Sequence, residues 1–283
     1  PRQSVSFKVT QGSEIINSAT GHILARAQAN ETWNARLRQV KKKTQLLLID
    51  SNGKTVSVLA KSFVLRPLNP SRAVIILDDV PGSGANAITA GRALRGSLEI
   101  SLAKGNLRLV NTLDLENYTH GVVSVEMPIT SPLEALRVQA VMARTHALYI
   151  MKQTRRHKED GYNLCDGQHC QVYGGVRAES ERSRSVVEGS RGRIVTYGGK
   201  VAHVIYSSNC GGHTQSGSEL TGWGNVPYWK GIPDGGSLEG AMTSPWKLRR
   251  WMTTMPAAHC KPSTYVHASH FRWSRLISFQ ELG

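Results

Sequence analysis

The sequence predicts an α+β protein, in which a β-rich N-terminal part precedes a part organised around one long helix. Two observations carry this prediction. Polar and apolar residues alternate in several short segments before residue 112, as they do in half-buried strands. After Pro128, helix-compatible residues run from Leu133 to about Gln153 behind a helix-start signal.

The first strands are predicted from this alternation and from the turn between two of them. Residues 4–9 alternate, and residues 45–49 form a short apolar run. Asn52 and Gly53 favour a hairpin turn, with residues 55–59 as the returning strand.

A further strand and a second hairpin complete the β-rich part. Residues 73–77 are apolar and lead into a Pro/Gly loop at residues 81–84, the best candidate for a domain boundary. Residues 97–102 alternate, a turn follows, and residues 107–110 alternate again. We expect this hairpin to lead the chain towards Glu126.

The long helix has a recognisable start and one apolar face. Ser131 is a candidate N-cap, Pro132 suits the first helical position, and Glu134 would complete a capping box. Arg137 and Arg144 fall inside the apolar surface, where a charge is costly unless it is paired. Arg144 therefore either extends to solvent or reaches an anion in a cleft. The apolar stripe consists of Leu136, Ala140, Ala143, Ala147 and Ile150.

The composition limits the kinds of molecule that the protein is expected to bind. The chain has 283 residues, a net charge of +15 and a pI near 10, which favours polyanions such as nucleic acid, anionic lipid or anionic cell-wall polymers. Nucleic-acid binding would rest on charge alone, because the basic residues are dispersed and no zinc-finger spacing is seen; we expect no nucleic-acid partner. No apolar run reaches the length of a membrane helix, so no transmembrane segment is expected in this chain.

Glu126 is the leading candidate for chemistry. It lies at the end of the apolar segment GVVSVEMP, residues 121–128. Burial among apolar neighbours raises the pKa of a carboxyl group, which suits a general acid that works near neutral pH. The alternative is a partly exposed glutamate at a strand end, paired with a nearby arginine.

Several ordered motifs together resemble the sporulation stage II protein D (SpoIID) family. The resemblance covers roughly residues 90–235, with a fainter match at residues 271–273. It implies a SpoIID-like catalytic domain at residues 91–283 with a substrate groove and an insertion near residues 235–270, behind a β-rich region at residues 1–90. The motifs are RGSLEI (95–100), LDLENY (113–118), GVVSVEMP (121–128), PLEALRVQAVMART (132–145), QVYGG (171–175), YSSNCGGHT (206–214) and VPYWK (226–230).

The resemblance implies an extracytoplasmic lytic transglycosylase, a lyase that cleaves the MurNAc–GlcNAc bond of peptidoglycan and leaves 1,6-anhydroMurNAc ends. Glu126 would be the catalytic acid. Arg144, Tyr228 and Lys230 would line the groove, and Ser208 would contact substrate from the Gly-rich loop. The family also includes enhancers of amidases, so the alternative is a non-catalytic wall-binding module. Other cell-wall hydrolases are then implied as partners.

A single carboxylate is enough for this chemistry, because the attacking hydroxyl belongs to the sugar. Asp114 and Glu116 are expected before a turn, and Glu134 in the capping box, so none is an obvious second catalytic carboxylate. No cofactor is required for the reaction. A competing hypothesis, a Cys210–His213 nucleophile, lacks the flanking signature of a cysteine protease.

A cysteine- and histidine-rich segment is a candidate metal site. His157, Cys165, His169 and Cys170 offer four ligand types that zinc accepts, although the spacing is not that of a zinc finger. Some relatives in the family carry a metal here, which favours a structural zinc. A Cys165–Cys170 disulfide is the alternative, and both remain open.

Overall fold

The computed structural model describes residues 2–59, 61–80, 91–222, 224–235, 244–254, 257–271 and 280. The chain divides into two compact units, Pro1–Ile205 and Tyr206–Gly283, which are described separately below. The loop at residues 81–84, the candidate boundary, lies outside the described residues.

Two antiparallel sheets form most of the first unit. The first has the order β6-β5-β4-β1-β8-β9 and the second the order β11-β10-β7-β2-β3. The strands are β1 (Ser4–Val9), β2 (Ser13–Asn17), β3 (Ile23–Ala27), β4 (Trp33–Val40), β5 (Lys43–Ile49), β6 (Thr55–Leu59), β7 (Ser62–Pro67), β8 (Ile75–Leu77), β9 (Arg92–Leu94), β10 (Ser97–Ala103) and β11 (Asn106–Thr112).

The sheets share one apolar core because their strands alternate inward and outward side chains. Along β1, every second residue is buried. Phe7 of one sheet and Phe63 of the other lie with ring centroids 6.1 Å apart in this core. The predicted strands at 4–9, 45–49 and 73–77 and both predicted hairpins are confirmed, the latter as β5–β6 and β10–β11.

Helices cover one part of this core. They are α1 (Leu115–Glu126), α2 (Leu133–Tyr149), a π-helical turn (Ile150–Thr154), a 3₁₀ turn (Gly175–Ala178) and α3 (Glu181–Gly189), with a small β12–β13 pair (Thr196–Tyr197 and Lys200–Val201) after them. The predicted apolar stripe is confirmed, since all five of its residues, four in α2 and Ile150 in the π-helical turn after it, are completely buried. The α+β prediction is confirmed as well.

Two local predictions were wrong. Asp114 and Glu116 do not precede a turn but begin the helix α1, because the Asp114 side chain caps its first turn by accepting a hydrogen bond from the Asn117 N–H, 2.9 Å away. Glu126 therefore ends a helix, which rules out the strand-end alternative for it. Ser131 does not cap α2, whose N-cap is Pro132. Glu134 instead pairs with Arg137, one turn further along the same helix.

The domain division at residue 90 stays a prediction, but strands from both sides of it share sheets. β9 pairs with β8, and β10 pairs with β7. Within the second unit, the described elements are a 3₁₀ turn (Gly217–Glu219), α4 (Pro245–Thr253) and α5 (Ala268–Phe271). None of the helices in the described parts of the chain is long and apolar enough to cross a membrane.

Candidate active site and metal centre

Glu126 is the last residue of α1, and its side chain is half-buried. Its Oε1 accepts a hydrogen bond of 2.7 Å from the backbone N–H of Val172. A backbone donor fixes the carboxylate in one orientation, whereas a flexible side-chain donor would not. The geometry therefore presents one oriented carboxyl group at the end of a helix.

The Val172 N–H comes from residues 170–175, here called the strap, which lies against α1. The Gly174 N–H donates to the Gly121 carbonyl at 2.9 Å. A Cβ at Gly174 would lie 2.7 Å from a methyl group of Val125, so any larger residue would push the strap away from the helix. Close backbone packing thus sets the position of the donor to Glu126.

Two buried side chains anchor the strap. The Gln171 amide donates to the Tyr118 hydroxyl at 3.3 Å and to the Ala143 carbonyl at 3.2 Å. The Tyr173 ring stacks on Tyr118 with centroids 5.4 Å apart. Burial raises the pKa of the Tyr173 phenol far above its usual value, so this ring stays neutral. The strap is therefore fixed on both sides of Val172.

His146 of α2 lies beside the strap. Its Nδ1 is 3.1 Å from the Val204 carbonyl oxygen, and its Nε2 is 3.2 Å from that of Cys170. Burial lowers the pKa of His146, against the opposing effect of its contacts with the Val204 and Cys170 carbonyls and of the Glu126 charge. A neutral imidazole donates only one of these two hydrogen bonds, and the tautomer with its proton on Nε2 ties the strap to α2 through the Cys170 carbonyl.

Arg144 is not placed as an open anion-binding residue. Its side chain is 1% exposed and forms a two-point ion pair with Glu116 of α1, Nη2 to Oε2 at 2.6 Å and Nε to Oε1 at 3.0 Å. Its Nη1 donates to the Arg193 carbonyl at 3.0 Å. Arg144 thus joins α1, α2 and the segment after α3. It does not extend to solvent, and the anion that it reaches is the carboxylate of Glu116.

The four predicted metal ligands come together directly before the strap. One ligand atom from each of His157, Cys165, His169 and Cys170 lies within 4.8 Å of all the others. His157 Nε2 is 3.4 Å from Cys170 Sγ, and Cys165 Sγ is 3.9 Å from His169 Nδ1. Zinc–ligand bonds of about 2.0–2.3 Å in a tetrahedron separate such atoms by about 3.5 Å, so the donor set fits zinc.

Further hydrogen bonds and ion pairs orient the residues around this cluster. His157 Nδ1 lies 3.2 Å from the carboxylate of Asp160, the arrangement that commonly fixes a metal-bound imidazole. Asp166, in the same loop, pairs with Arg92, whose Nη2 also donates to the Tyr173 carbonyl at 3.1 Å. The cysteine–histidine loop is therefore linked to the strap by the chain itself and by Arg92.

Comparison with known proteins finds similarity in the part of the chain that contains this site. Residues 103–197 match the sequence model of the family SpoIID, Stage II sporulation protein. This stretch of the chain is thus similar to the SpoIID family. The resemblance inferred from the motifs is thereby confirmed, and Glu126, Arg144, the strap and the cysteine–histidine loop all lie within the matched residues.

Three relatives illustrate the similarity. An uncharacterized protein of Brachyspira hyodysenteriae is 37% identical over 138 residues, 48% of this chain and 36% of the relative. The amidase enhancer of Bacillus subtilis is 35% identical over 109 residues, which are 38% of this chain and 14% of the relative. The stage II sporulation protein D of Bacillus amyloliquefaciens is 30% identical over 135 residues, which are 44% of this chain and 39% of the relative. The matches thus span less than half of these relatives.

The remaining predicted substrate contacts lie outside the matched SpoIID domain, in the second unit. Ser208, Tyr228 and Lys230 are all exposed there. The Lys230 carbonyl accepts from the Thr214 hydroxyl at 3.0 Å, which fastens the loop that carries Tyr228 and Lys230. The sulfur of Cys210 faces Cys260, 3.3 Å away, whereas His213 Nδ1 lies 2.7 Å from the Thr214 carbonyl oxygen.

Three positions around Glu126 and Arg144 were missed from the sequence. Glu116 pairs with Arg144, His146 lies against the strap, and the backbone N–H of Val172 donates to Glu126. The motif QVYGG was noted without a role, although its two glycines were a signal for close backbone packing. No pattern in the sequence identified the pairing of Glu116 with Arg144.

Proposed function

We propose that this chain is a lytic transglycosylase of the bacterial cell wall, acting outside the cytoplasm with Glu126 as its acid. The observation that carries the proposal is the half-buried Glu126 carboxyl, oriented by the Val172 N–H at 2.7 Å. The SpoIID match over residues 103–197 and the stage II sporulation relatives support a role in the cell wall and in sporulation.

In the first step, neutral Glu126 protonates the glycosidic oxygen between N-acetylmuramic acid and N-acetylglucosamine. With Oε1 held by Val172, Oε2 is the oxygen that carries this proton. The bond between the anomeric carbon and that oxygen breaks, and positive charge develops on the muramic ring. General acids of this kind contribute about 10²–10⁴-fold to a rate.

In the second step, the Glu126 carboxylate accepts the proton of the muramic 6-hydroxyl as its oxygen bonds to the anomeric carbon. The product is a 1,6-anhydro ring, and the acid is regenerated without water. A second catalytic carboxylate is not needed. The three carboxylates considered for that role are otherwise engaged: Asp114 caps α1, Glu116 pairs with Arg144, and Glu134 pairs with Arg137.

The proposed substrate contacts are Ser208, Tyr228 and Lys230. Tyr228 would stack on a sugar, and Lys230 would hold the lactyl carboxylate of the muramic unit. The net charge of +15 would concentrate the anionic glycan near the protein. Arg144 would act indirectly, by holding α1 and α2 together behind Glu126.

A structural zinc ion at His157, Cys165, His169 and Cys170 completes the proposal. It would cross-link the loop and would take no part in the reaction. Because Cys170 is only two residues from Val172, this cross-link would help to orient the donor to Glu126.

Product analysis tests the proposed reaction. Purified glycan strands, with and without stem peptides, are incubated with the protein and analysed by mass spectrometry. We expect 1,6-anhydroMurNAc ends and no newly formed reducing MurNAc ends. Reducing ends would indicate a hydrolase, and unchanged strands would contradict any glycan-cleaving activity.

The second candidate function is a non-catalytic enhancer of an amidase, and the amidase-enhancer relative of Bacillus subtilis favours it. In that case the protein would bind the wall and accelerate release of stem peptides by an added amidase. Wild type and Glu126→Gln would do so equally, and neither would produce anhydro ends.

A further inference from the structure

A second cluster of metal-ligating side chains lies in the second unit, outside the residues that match the SpoIID family. Cys210, Asp234 and Cys260 each offer a ligand atom within 4.8 Å of the other two, and all three residues are half-buried. The sulfurs of Cys210 and Cys260 are 3.3 Å apart. The proposed transglycosylase chemistry uses none of these groups.

The carboxylate of Asp234 is held in place beside the sulfurs. Its Oδ2 accepts the Cys260 backbone N–H at 2.9 Å, and one of its carboxylate oxygens lies within 4.8 Å of both sulfurs. Gly211 and Gly212 have φ values of 66° and 100°, which side-chain-bearing residues rarely adopt, so the two glycines allow the tight turn that follows Cys210.

Hydrogen bonds around the cluster tie three distant segments together. The Asn209 amide donates to the Cys260 carbonyl at 2.8 Å, the Asp234 N–H to the Gly212 carbonyl at 3.1 Å, and the His259 N–H to the Asp234 carbonyl at 3.1 Å. Cys210 and Cys260 are 50 residues apart in sequence. A cross-link between such distant segments removes much of the conformational freedom of the unfolded chain.

The described part of the second unit buries few apolar side chains, so a cross-link would stabilise it. Among its described residues, the buried hydrophobic side chains are those of Ala258 and Phe271. Domains of fewer than about 80 residues rarely obtain enough stability from an apolar core alone and commonly add disulfides or a structural metal. This observation is independent of the ligand geometry and points in the same direction.

We propose that Cys210, Cys260 and Asp234 bind a divalent metal ion of the zinc class and thereby stabilise the second unit. Two thiolates select a soft ion such as zinc, and zinc also accepts a carboxylate. Tetrahedral zinc with bonds of about 2.3 Å to sulfur holds two sulfurs about 3.8 Å apart, half an ångström more than here. A disulfide would leave the oriented carboxylate of Asp234 without a role.

The experiment separates this site from the cysteine–histidine loop by using the variant Cys165→Ser/Cys170→Ser as background. The chain is dialysed against zinc, and the bound metal is measured by native mass spectrometry and elemental analysis. We expect about one zinc ion per chain in this background, lost when Cys210→Ser is added. Asp234→Asn, which keeps both thiols, should weaken zinc binding more than tenfold.

A second measurement keeps the proposal falsifiable if a serine variant misfolds. Limited proteolysis of the background chain, with and without a chelator, should show cleavage within residues 206–283 only after metal removal. The proposal is overturned if the background chain binds no zinc, or if Asp234→Asn binds it as tightly as its parent. It is equally overturned if the unreduced chain is lighter by two hydrogens and both thiols resist alkylation, which identifies a disulfide.

Discussion

The two units of this chain are stabilised in different ways. The first has a continuous apolar core that runs from the β-sandwich to Ala143 and Ala147 of α2, and its buried charge Arg144 is fully paired. The second has two buried hydrophobic residues among those described, and hydrogen bonds join the segments that carry Cys210, Asp234 and Cys260. The proposed acid thus lies on a unit with a packed core, whereas the proposed metal ion would stabilise a unit whose described part buries few apolar side chains.

The largest expected effect in the first unit comes from breaking its buried ion pair. Arg144→Met leaves Glu116 largely buried without its partner, which costs about 3–5 kcal/mol. Urea denaturation should show this as a much lower midpoint. By contrast, Asp234→Asn in the second unit should leave the main transition of the first unit unchanged.

A matched double variant controls for the loss of the charge itself. Glu116→Gln/Arg144→Met removes both charges and should recover much of the stability, because no unpaired charge remains buried. If Arg144→Met instead leaves stability unchanged and weakens only glycan binding, Arg144 contacts substrate as the sequence suggested, and our structural role for it is contradicted.

An intermediate effect is expected where the strap meets α1. A Cβ at Gly174 would lie 2.7 Å from Val125 and from Ala178, so Gly174→Ala must shift the strap. We expect a loss of about 1–3 kcal/mol from overpacking. Glycan cleavage should also fall, by up to about 100-fold, because the Val172 donor moves away from Glu126.

Gly189→Ala is the control for that variant, because its Cβ would meet only the Arg137 side chain at an ordinary distance of 3.7 Å. It should retain both stability and activity. Equal activity of Gly174→Ala and Gly189→Ala would show that the strap does not position Glu126.

The smallest effect is a pH dependence within the first unit. Burial lowers the pKa of His120, outweighing the favourable charges of Glu179 and Glu188, while Arg184 lowers it further. In the unfolded chain His120 therefore becomes protonated below pH ~6.5, whereas in the folded chain it becomes protonated only at lower pH. Stability should decline as pH falls through this range, and His120→Gln should reduce the decline. A variant with an undiminished slope would exclude His120 as its source.

Most of the first unit's fold could be predicted because its patterns are local. Residues 4–9 are predicted as a strand by alternation alone, and β1 has the same bounds. The buried face of α2 followed from helical spacing. The predicted Ser131 cap of α2 was wrong because Pro132 takes the N-cap position. The helix α1 was not predicted, because its β-branched valines favour strands out of context.

The candidate site was predictable only in part, because its contacts are between distant segments. The cysteine–histidine loop was found from residue types in one short stretch, and the structure brings its four ligands together. The partner of Arg144, the backbone donor to Glu126 and the pairing of Cys210 with Cys260 each join residues that are 28 to 50 positions apart. Neither periodicity nor motif spacing reports such contacts.

The most direct test of the central claim compares Glu126→Gln with Glu134→Gln on denuded glycan strands. Glutamine keeps the hydrogen bond from Val172 but cannot donate the acid proton, whereas the Glu134 side chain is 78% exposed and pairs only with Arg137 among its described neighbours. We predict that Glu126→Gln releases anhydro ends about 10²–10⁴-fold more slowly than wild type, with an unchanged urea midpoint, and that Glu134→Gln is fully active. Release of anhydro ends by Glu126→Gln at the wild-type rate would contradict the account.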